Sequence, residues 1–155
     1  MKSNIKALYE LAVWGYLVDK KEYELIILKG HVILDFVLTD FLSEFENKKY
    51  TDMSFYKKLQ IFKELTFENQ FKHNFIIECL DRLNLIRNEI AHESLFDLEK
   101  SNILIWSENI HINLSGAKFS KYTKRTKFIH SFSVLAINIL EMDSLKYKMN
   151  SQIKY

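Results

Sequence analysis

The stretch Leu83-Asn84-Leu85-Ile86-Arg87-Asn88-Glu89-Ile90-Ala91-His92-Glu93 sets an arginine directly before an amide and brings in a histidine four residues after that amide. Guanidinium, amide and imidazole are groups that hold a phosphodiester and move protons around it. The guanidinium fork matches phosphate oxygens, and an imidazole pKa near 6.5 suits both base and acid roles at neutral pH. On a regular helix Asn88 and His92 share a face, while Arg87 stands about 140° round from His92. The two still converge if the helix ends or loosens at His92, because arginine is long. A plainer use is open to the same residues: Arg87 pairing with Glu89, Glu93 or Asp81 on a solvated face, and His92 capping carbonyls at a helix C-terminus, where a cation is favoured.

The elements that must position these groups read as helices. Apolar residues at helical spacing run from Ile5 to about Val18 through Ile5, Leu8, Tyr9, Leu11, Ala12, Gly15 and Leu17. A second helix is expected from Tyr23 to Phe45, with Leu25, Ile26, Leu28, Val32, Ile33, Phe36, Val37 and Phe41 inward. Being apolar almost all round, it is either the central helix or a packing surface for another subunit. Asn47 to Asp52 reads as a loop, followed by a short helix over Ser54 to Phe62 capped by Thr51 or Asp52. A fourth helix spans Asn69 to Ala91, burying Phe71, Phe75, Ile76, Cys79, Leu80, Leu83 and Ile86, with the Arg87–His92 motif at its C-terminal end. Ile103, Ile105, Ile110, Ile112 and Leu114 alternate with polar residues around Ser107-Glu108-Asn109, the pattern of a small β-hairpin. A last helix begins near Lys121 and runs to about Lys148. The expectation is a mainly all-α chain, a single domain over residues 1–155: an up-and-down bundle of four to five helices with a small β-hairpin insertion near 103–114.

Composition agrees with that class. With 155 residues, no proline and three glycines, the chain is long enough for a core and short of helix breakers. Its single cysteine, Cys79, rules out an internal disulfide and fits a reducing cytoplasm. The N-terminus lacks the pattern of a signal peptide, and the most apolar run, Leu25 to Leu42, carries Lys29, His31, Asp35 and Asp40, which a lipid-facing span would not tolerate cheaply. A cytoplasmic protein without a membrane partner is expected. The net charge of +2 decides little. In a chain so rich in lysine, however, Arg82, Arg87 and Arg125 are expected where a planar fork is needed.

The densest basic stretch, Lys118 to Phe128, interleaves aromatics with cations. Lys121, Lys124, Arg125 and Lys127 at a helix start oppose the helix dipole, which makes phosphate contact a natural use and RNA the expected partner. A solvated lysine face over core aromatics is the alternative. His31, His73, His111 and His130 have no partners at metal-ligand spacing and read as structural; no metal or other cofactor is expected. There is no glycine-rich phosphate loop.

A helix spelled Leu-Asn-Leu-Ile-Arg-Asn-Glu-Ile-Ala-His in an all-helical chain of this size resembles the HEPN superfamily (higher eukaryotes and prokaryotes nucleotide-binding domains). Its hallmark is an arginine, four to six residues, then a histidine, often with a polar residue just after the arginine; Arg87, Asn88 and His92 match it. The resemblance is specific over Asp81 to Glu93 and elsewhere is one of architecture, in which the hairpin has no counterpart. It implies a homodimeric, metal-independent endoribonuclease whose two motifs meet in one composite site. In that site His92 would move the proton of a ribose 2′-hydroxyl, Arg87 would hold the phosphate and Asn88 would orient either. It further implies a toxin–antitoxin or anti-phage defence effector with a cognate antitoxin or defence partner. The subgroup paired with a small nucleotidyltransferase antitoxin carries a tyrosine two residues past the histidine. This chain has Ser94 there, so silencing at that tyrosine does not carry over. The Lys29-Gly30-His31-Val32-Ile33-Leu34-Asp35 helix, together with the Arg-Asn-x-x-Ala-His spelling, also resembles the mannitol operon repressor family, which implies a non-catalytic regulatory, nucleic-acid-binding or nucleotide-binding module.

Overall fold

The computed structural model describes residues 2–44, 50–92 and 95–142, and over these the chain is mainly helical. The elements are α1 (Lys2–Leu17), α2 (Tyr23–Ser43), α3 (Phe55–Glu64), α4 (Gln70–His92), the single turn α5 (Leu98–Ser101), α6 (Ile103–Ile110), a turn of π-helix (His111–Ser115) and α7 (Lys124–Leu140). None of the described helices is long and apolar enough to cross a membrane.

Two helices form the centre. α7 lies against α1, α2, α6 and the π turn, while α2 lies against α1, α3, α4 and α7. Phe128, Ile129, Phe132, Leu135, Ala136 and Ile139 of α7 are fully buried. Each large side chain so buried contributes about 1.5–3 kcal/mol of transfer free energy. The contact between the two central helices is close because Gly30 of α2 faces the Phe132 ring: a Cβ at Gly30 would overlap that ring.

Polar side chains tie the outer helices on. The Trp106 indole N–H donates to the Cys79 carbonyl at 2.9 Å, joining α6 to α4, and Arg82 donates to the Ser101 carbonyl at 2.6 Å, joining α4 to α5. His73, fully buried, hydrogen-bonds the Phe62 carbonyl through Nε2 at 3.0 Å and joins α4 to α3. His111 does the same for the π turn and α7, through Nε2 to the Lys127 carbonyl at 2.7 Å. His130 stacks on Trp14 of α1 and on Phe119. Burial pushes the imidazoles of His73, His111 and half-buried His130 below their ordinary values and pushes the Cys79 thiol up to about 12, so the neutral form of all four is favoured at pH 7.

Several sequence expectations are corrected. The hairpin expected over 103–114 is helical: Ile103, Trp106, Ser107 and Ile110 are buried at the i, i+3, i+4, i+7 spacing of a helix, and Ile105 and Ile112 face outward. The alternation of isoleucines is genuine, but the Trp106 anchor selects the other period. Asn102 takes the left-handed conformation (φ 57°) that lets α5 turn into α6, a conformation asparagine tolerates better than most residues. α3 is capped by Ser54, which accepts from the Lys57 N–H at 3.3 Å, and not by Thr51 or Asp52. α7 starts at Lys124 behind the Thr123 cap, so Lys121 precedes the helix. α7 ends at Leu140 with Glu141 as its C-cap, short of the expected end near Lys148; residues beyond Met142 lie outside the described residues, as do Phe45 and Glu93-Ser94. On α1 the residues Ile5, Leu8 and Leu11 are exposed, as are Leu25, Val32 and Phe36 on α2 and Phe71 on α4.

The close approach at Gly30 has a signed consequence. Replacing a helical glycine by alanine ordinarily adds up to about 1 kcal/mol of stability. Gly15→Ala, with open space around its Cβ position, should therefore raise the melting temperature. Gly30→Ala should lower it, because overpacking against the fully buried Phe132 costs about 1–3 kcal/mol. Thermal unfolding followed by circular dichroism checks both; a rise for Gly30→Ala would contradict the packing described.

Candidate functional site

Asn84, Arg87 and Asn88 stand at i, i+3 and i+4 and so share one face of α4. All three line a hollow of about 660 Å³. Its α2 wall carries Leu25, Leu28, Lys29, His31, Val32 and Asp35, and the start of α3 adds Ser54, Phe55 and Tyr56. α2 delivers its residues there because Gly30 turns toward α7 while the adjacent His31 turns toward α3 and α4.

Inside the hollow the hydrogen bonds have a consistent direction. His31 Nε2 donates to Asn84 Oδ1 at 3.2 Å, and its ring rests on Phe55 with centroids 4.3 Å apart. Arg87 Nη1 donates to Asn88 Oδ1 at 3.2 Å. Burial is the main cause holding the His31 imidazole below its ordinary value. The Asn84 bond opposes that shift, the Arg87 charge adds to it, and Asp35 opposes it. His31 is thus neutral at pH 7, with its proton on Nε2. The Asp35 carboxylate accepts from the buried Lys58 ammonium at 2.7 Å, so Lys29 and Arg87 give the wall a net positive charge.

The three arginines are used differently. Arg82 donates to a main-chain carbonyl, as described. Arg125 donates to the carbonyls of Val18 at 2.9 Å and Lys20 at 2.6 Å, closing the C-terminal end of α1. Arg87 is the one of the three that lines the hollow. Asp81, one of the simple ion-pair partners open to Arg87 on sequence grounds, is paired with Lys63 at 3.0 Å.

His92 is the last residue of α4; it is exposed and does not line the hollow. The fold thus brings Arg87 and Asn88 together in one protomer and leaves His92 off their wall. Of the basic segment, Lys121 and Lys124 are exposed. Lys124 and Lys127 border a smaller hollow of about 220 Å³ between α6 and α7, with Leu104, Ile105, Ser107 and Glu108. Sequence reasoning did not give His31 or Asn84 a place in the site. The available signal was that Asn84 lies one helical turn before Arg87 and that His31 is one of a few polar residues within an apolar helix. Among the described residues no three His, Cys, Asp or Glu side chains are grouped so as to hold a metal ion.

No protein-family model matches this chain, and no curated protein or solved structure matches it either. The reading of the site therefore rests on its own residues.

Arg125 differs from its lysine neighbours in a way that stability can measure. Arg125→Ala should destabilise the fold by about 1.5–3 kcal/mol, the range for hydrogen bonds made by charged groups. Lys121→Ala and Lys124→Ala should stay within about 0.5 kcal/mol, as exposed substitutions do. Urea unfolding of the three variants checks this; equal midpoints would show that the Arg125 bonds add nothing.

Proposed function

We propose that the protein is a metal-independent endoribonuclease of the HEPN type, an up-and-down helical bundle that cleaves RNA through Arg87, Asn88 and His92 at a homodimer interface. The observation that carries this reading is the placement of Arg87: two arginines close the fold, and the third, bonded to Asn88, faces a positively charged hollow beside a neutral buried histidine. A guanidinium held that way is suited to binding a phosphodiester and offsetting the charge that gathers on its oxygens.

In this proposal His92 enters from a second copy. It stands at the exposed end of α4, so a partner could bring it to the mouth of the hollow. Leu25, Val32 and Phe36, at i, i+7 and i+11, give α2 an exposed apolar stripe beside the hollow, which supports burial against another subunit. The imidazole takes the proton of a ribose 2′-hydroxyl, O2′ bonds to phosphorus, the P–O5′ bond breaks, and O5′ leaves with a proton given back by an imidazolium of the composite site. The products are a 2′,3′-cyclic phosphate and a 5′-hydroxyl. Lys121, Lys124 and Lys127 would track the flanking phosphates, with Arg125 holding their segment on α1. Such an activity fits a cytoplasmic toxin–antitoxin or anti-phage effector acting with a cognate protein partner.

One observation favours a second reading. His92 is not on the wall that holds Arg87, which is what a module that binds RNA without cutting it would show. A non-catalytic regulator resembling the mannitol operon repressor family is that alternative.

Arg87→Ala and His92→Ala should each lower RNA cleavage by about 10²–10⁴-fold, the usual contribution of a positioned acid or base, with little change in melting temperature. Asn88→Ala should lose less, since it orients and does not react. Gel assays on the purified variants check this. Wild-type protein that binds RNA and leaves it intact would establish the second reading, and no binding at all would remove both.

A further inference from the structure

α1 is apolar on two sides. Toward the core it buries Val13 and Leu17, and its Trp14 stacks on His130. Toward solvent, Leu11, Gly15, Leu8, Ala12, Ile5 and Tyr16 follow one another over about 140° of the helix, and all six are exposed. Ile5, Leu8 and Leu11 are 53%, 65% and 67% exposed. A stripe of that width is what a helix ordinarily turns toward a core. The charged residues between Ile5 and Leu17 lie outside it, and both are paired: Lys6 with Glu141 and Glu10 with Lys118, each at 2.8 Å.

Two features of the stripe point to what covers it. It holds no charge, so a second copy can be laid on it without bringing like charges together or stranding one away from water. Gly15 is the other. Within a helix glycine is less favourable than alanine by up to about 1 kcal/mol. Nothing inside this chain requires glycine there, since a Cβ at Gly15 would meet no atom within 4 Å. Leu8 precedes Gly15 by two turns and lies within roughly 20° of the same line along the helix. An antiparallel copy, related by a two-fold axis passing between Leu11 and Ala12, therefore sets each Leu8 over the Gly15 of the other chain. A lipid surface has no use for a glycine at that place.

We propose that the outer face of α1 is a docking surface for α1 of a second copy, packed antiparallel with Leu8 seated on Gly15 across the two-fold axis. A helix of 16 residues is about 24 Å long. One face of it is smaller than the roughly 800 Å² that each partner gives to a standard interface, so the association is weak and concentration-dependent. No residue of α1 lines the hollow. The contact is thus separate from the α2 stripe of the proposed composite site, and a chain that uses both assembles beyond a dimer.

Cysteine cross-linking and sedimentation equilibrium test this. Ala12 stands beside the axis, so Ala12→Cys should form a disulfide-linked dimer under mild oxidation. Lys57→Cys, equally exposed but on α3, should not, and the native Cys79 is buried. Leu8→Glu strands a carboxylate in the contact and should weaken association by at least about tenfold, lowering the average mass at a given concentration. Phe36→Glu, which disrupts the α2 stripe, should leave the Ala12→Cys cross-link in place. Absence of that cross-link, or a Leu8→Glu protein with the wild-type mass at every concentration, would overturn the proposal. The cross-link decides this even if Leu8→Glu fails to fold. Wild-type protein that stays monomeric and binds anionic phospholipid vesicles through Leu8 would assign the face to a lipid surface and overturn it as well. The ribonuclease reading fails separately: intact RNA beside a cross-linked Ala12→Cys dimer removes the nuclease and supports the α1 contact.

Discussion

The rest of the structure depends on how closely α2 approaches α7. Gly30 lies against the ring of Phe132 with no room for a side chain, and Phe132 is itself fully enclosed. Because consecutive helical residues point about 100° apart, seating Gly30 on α7 commits His31 to a neighbouring direction, toward α3 and α4. The same rotation places Lys29, Val32 and Asp35 on the hollow's wall. A larger residue at position 30 would roll or lift α2 and move that whole wall, so a packing contact in the core sets the geometry of a surface site.

Within the hollow, each interaction restricts the next. The Asn84 bond fixes the tautomer of His31, and that bond in turn orients the Asn84 amide with its N–H groups away from the imidazole. The Arg87 bond orients Asn88 in the same sense. Lys58, buried on α3, offsets the Asp35 carboxylate and keeps it from cancelling the charge of Arg87. Lys58 is buried while Asp35 is partly exposed on the hollow, which makes Lys58 a support of the site without being part of its wall.

Much of the helical order could be read in advance, because α2, α4 and α7 carry strong apolar periodicity and glycine and proline are scarce. α6 could not, since Ile103, Ile105, Ile110 and Ile112 fit an alternating pattern as well as a helical one. The Trp106 bond to the Cys79 carbonyl, a contact between residues far apart in sequence, decides between them. The same limit explains which site residues were found. Arg87 and Asn88 are neighbours in sequence and were recognisable as a pair. His31 joins them only through the packing of α2 on α4, and in the sequence it is one polar residue in an apolar helix. Arg125 shows the reverse: in the sequence it belongs to a basic run, and in the fold its guanidinium closes α1.

In the proposed reaction Arg87 holds a phosphodiester whose own ribose hydroxyl breaks it. The most direct measurement is the chemistry of the ends produced when the wild-type protein is incubated with a labelled oligoribonucleotide, beside the same strand carrying 2′-deoxyribose at the cleaved position. Such a reaction should leave new 3′ ends bearing a 2′,3′-cyclic phosphate and new 5′-hydroxyl ends, with no cleavage where the 2′-hydroxyl is missing. Cleavage of the deoxy-substituted strand, or 3′-hydroxyl ends with 5′-phosphates, would contradict it.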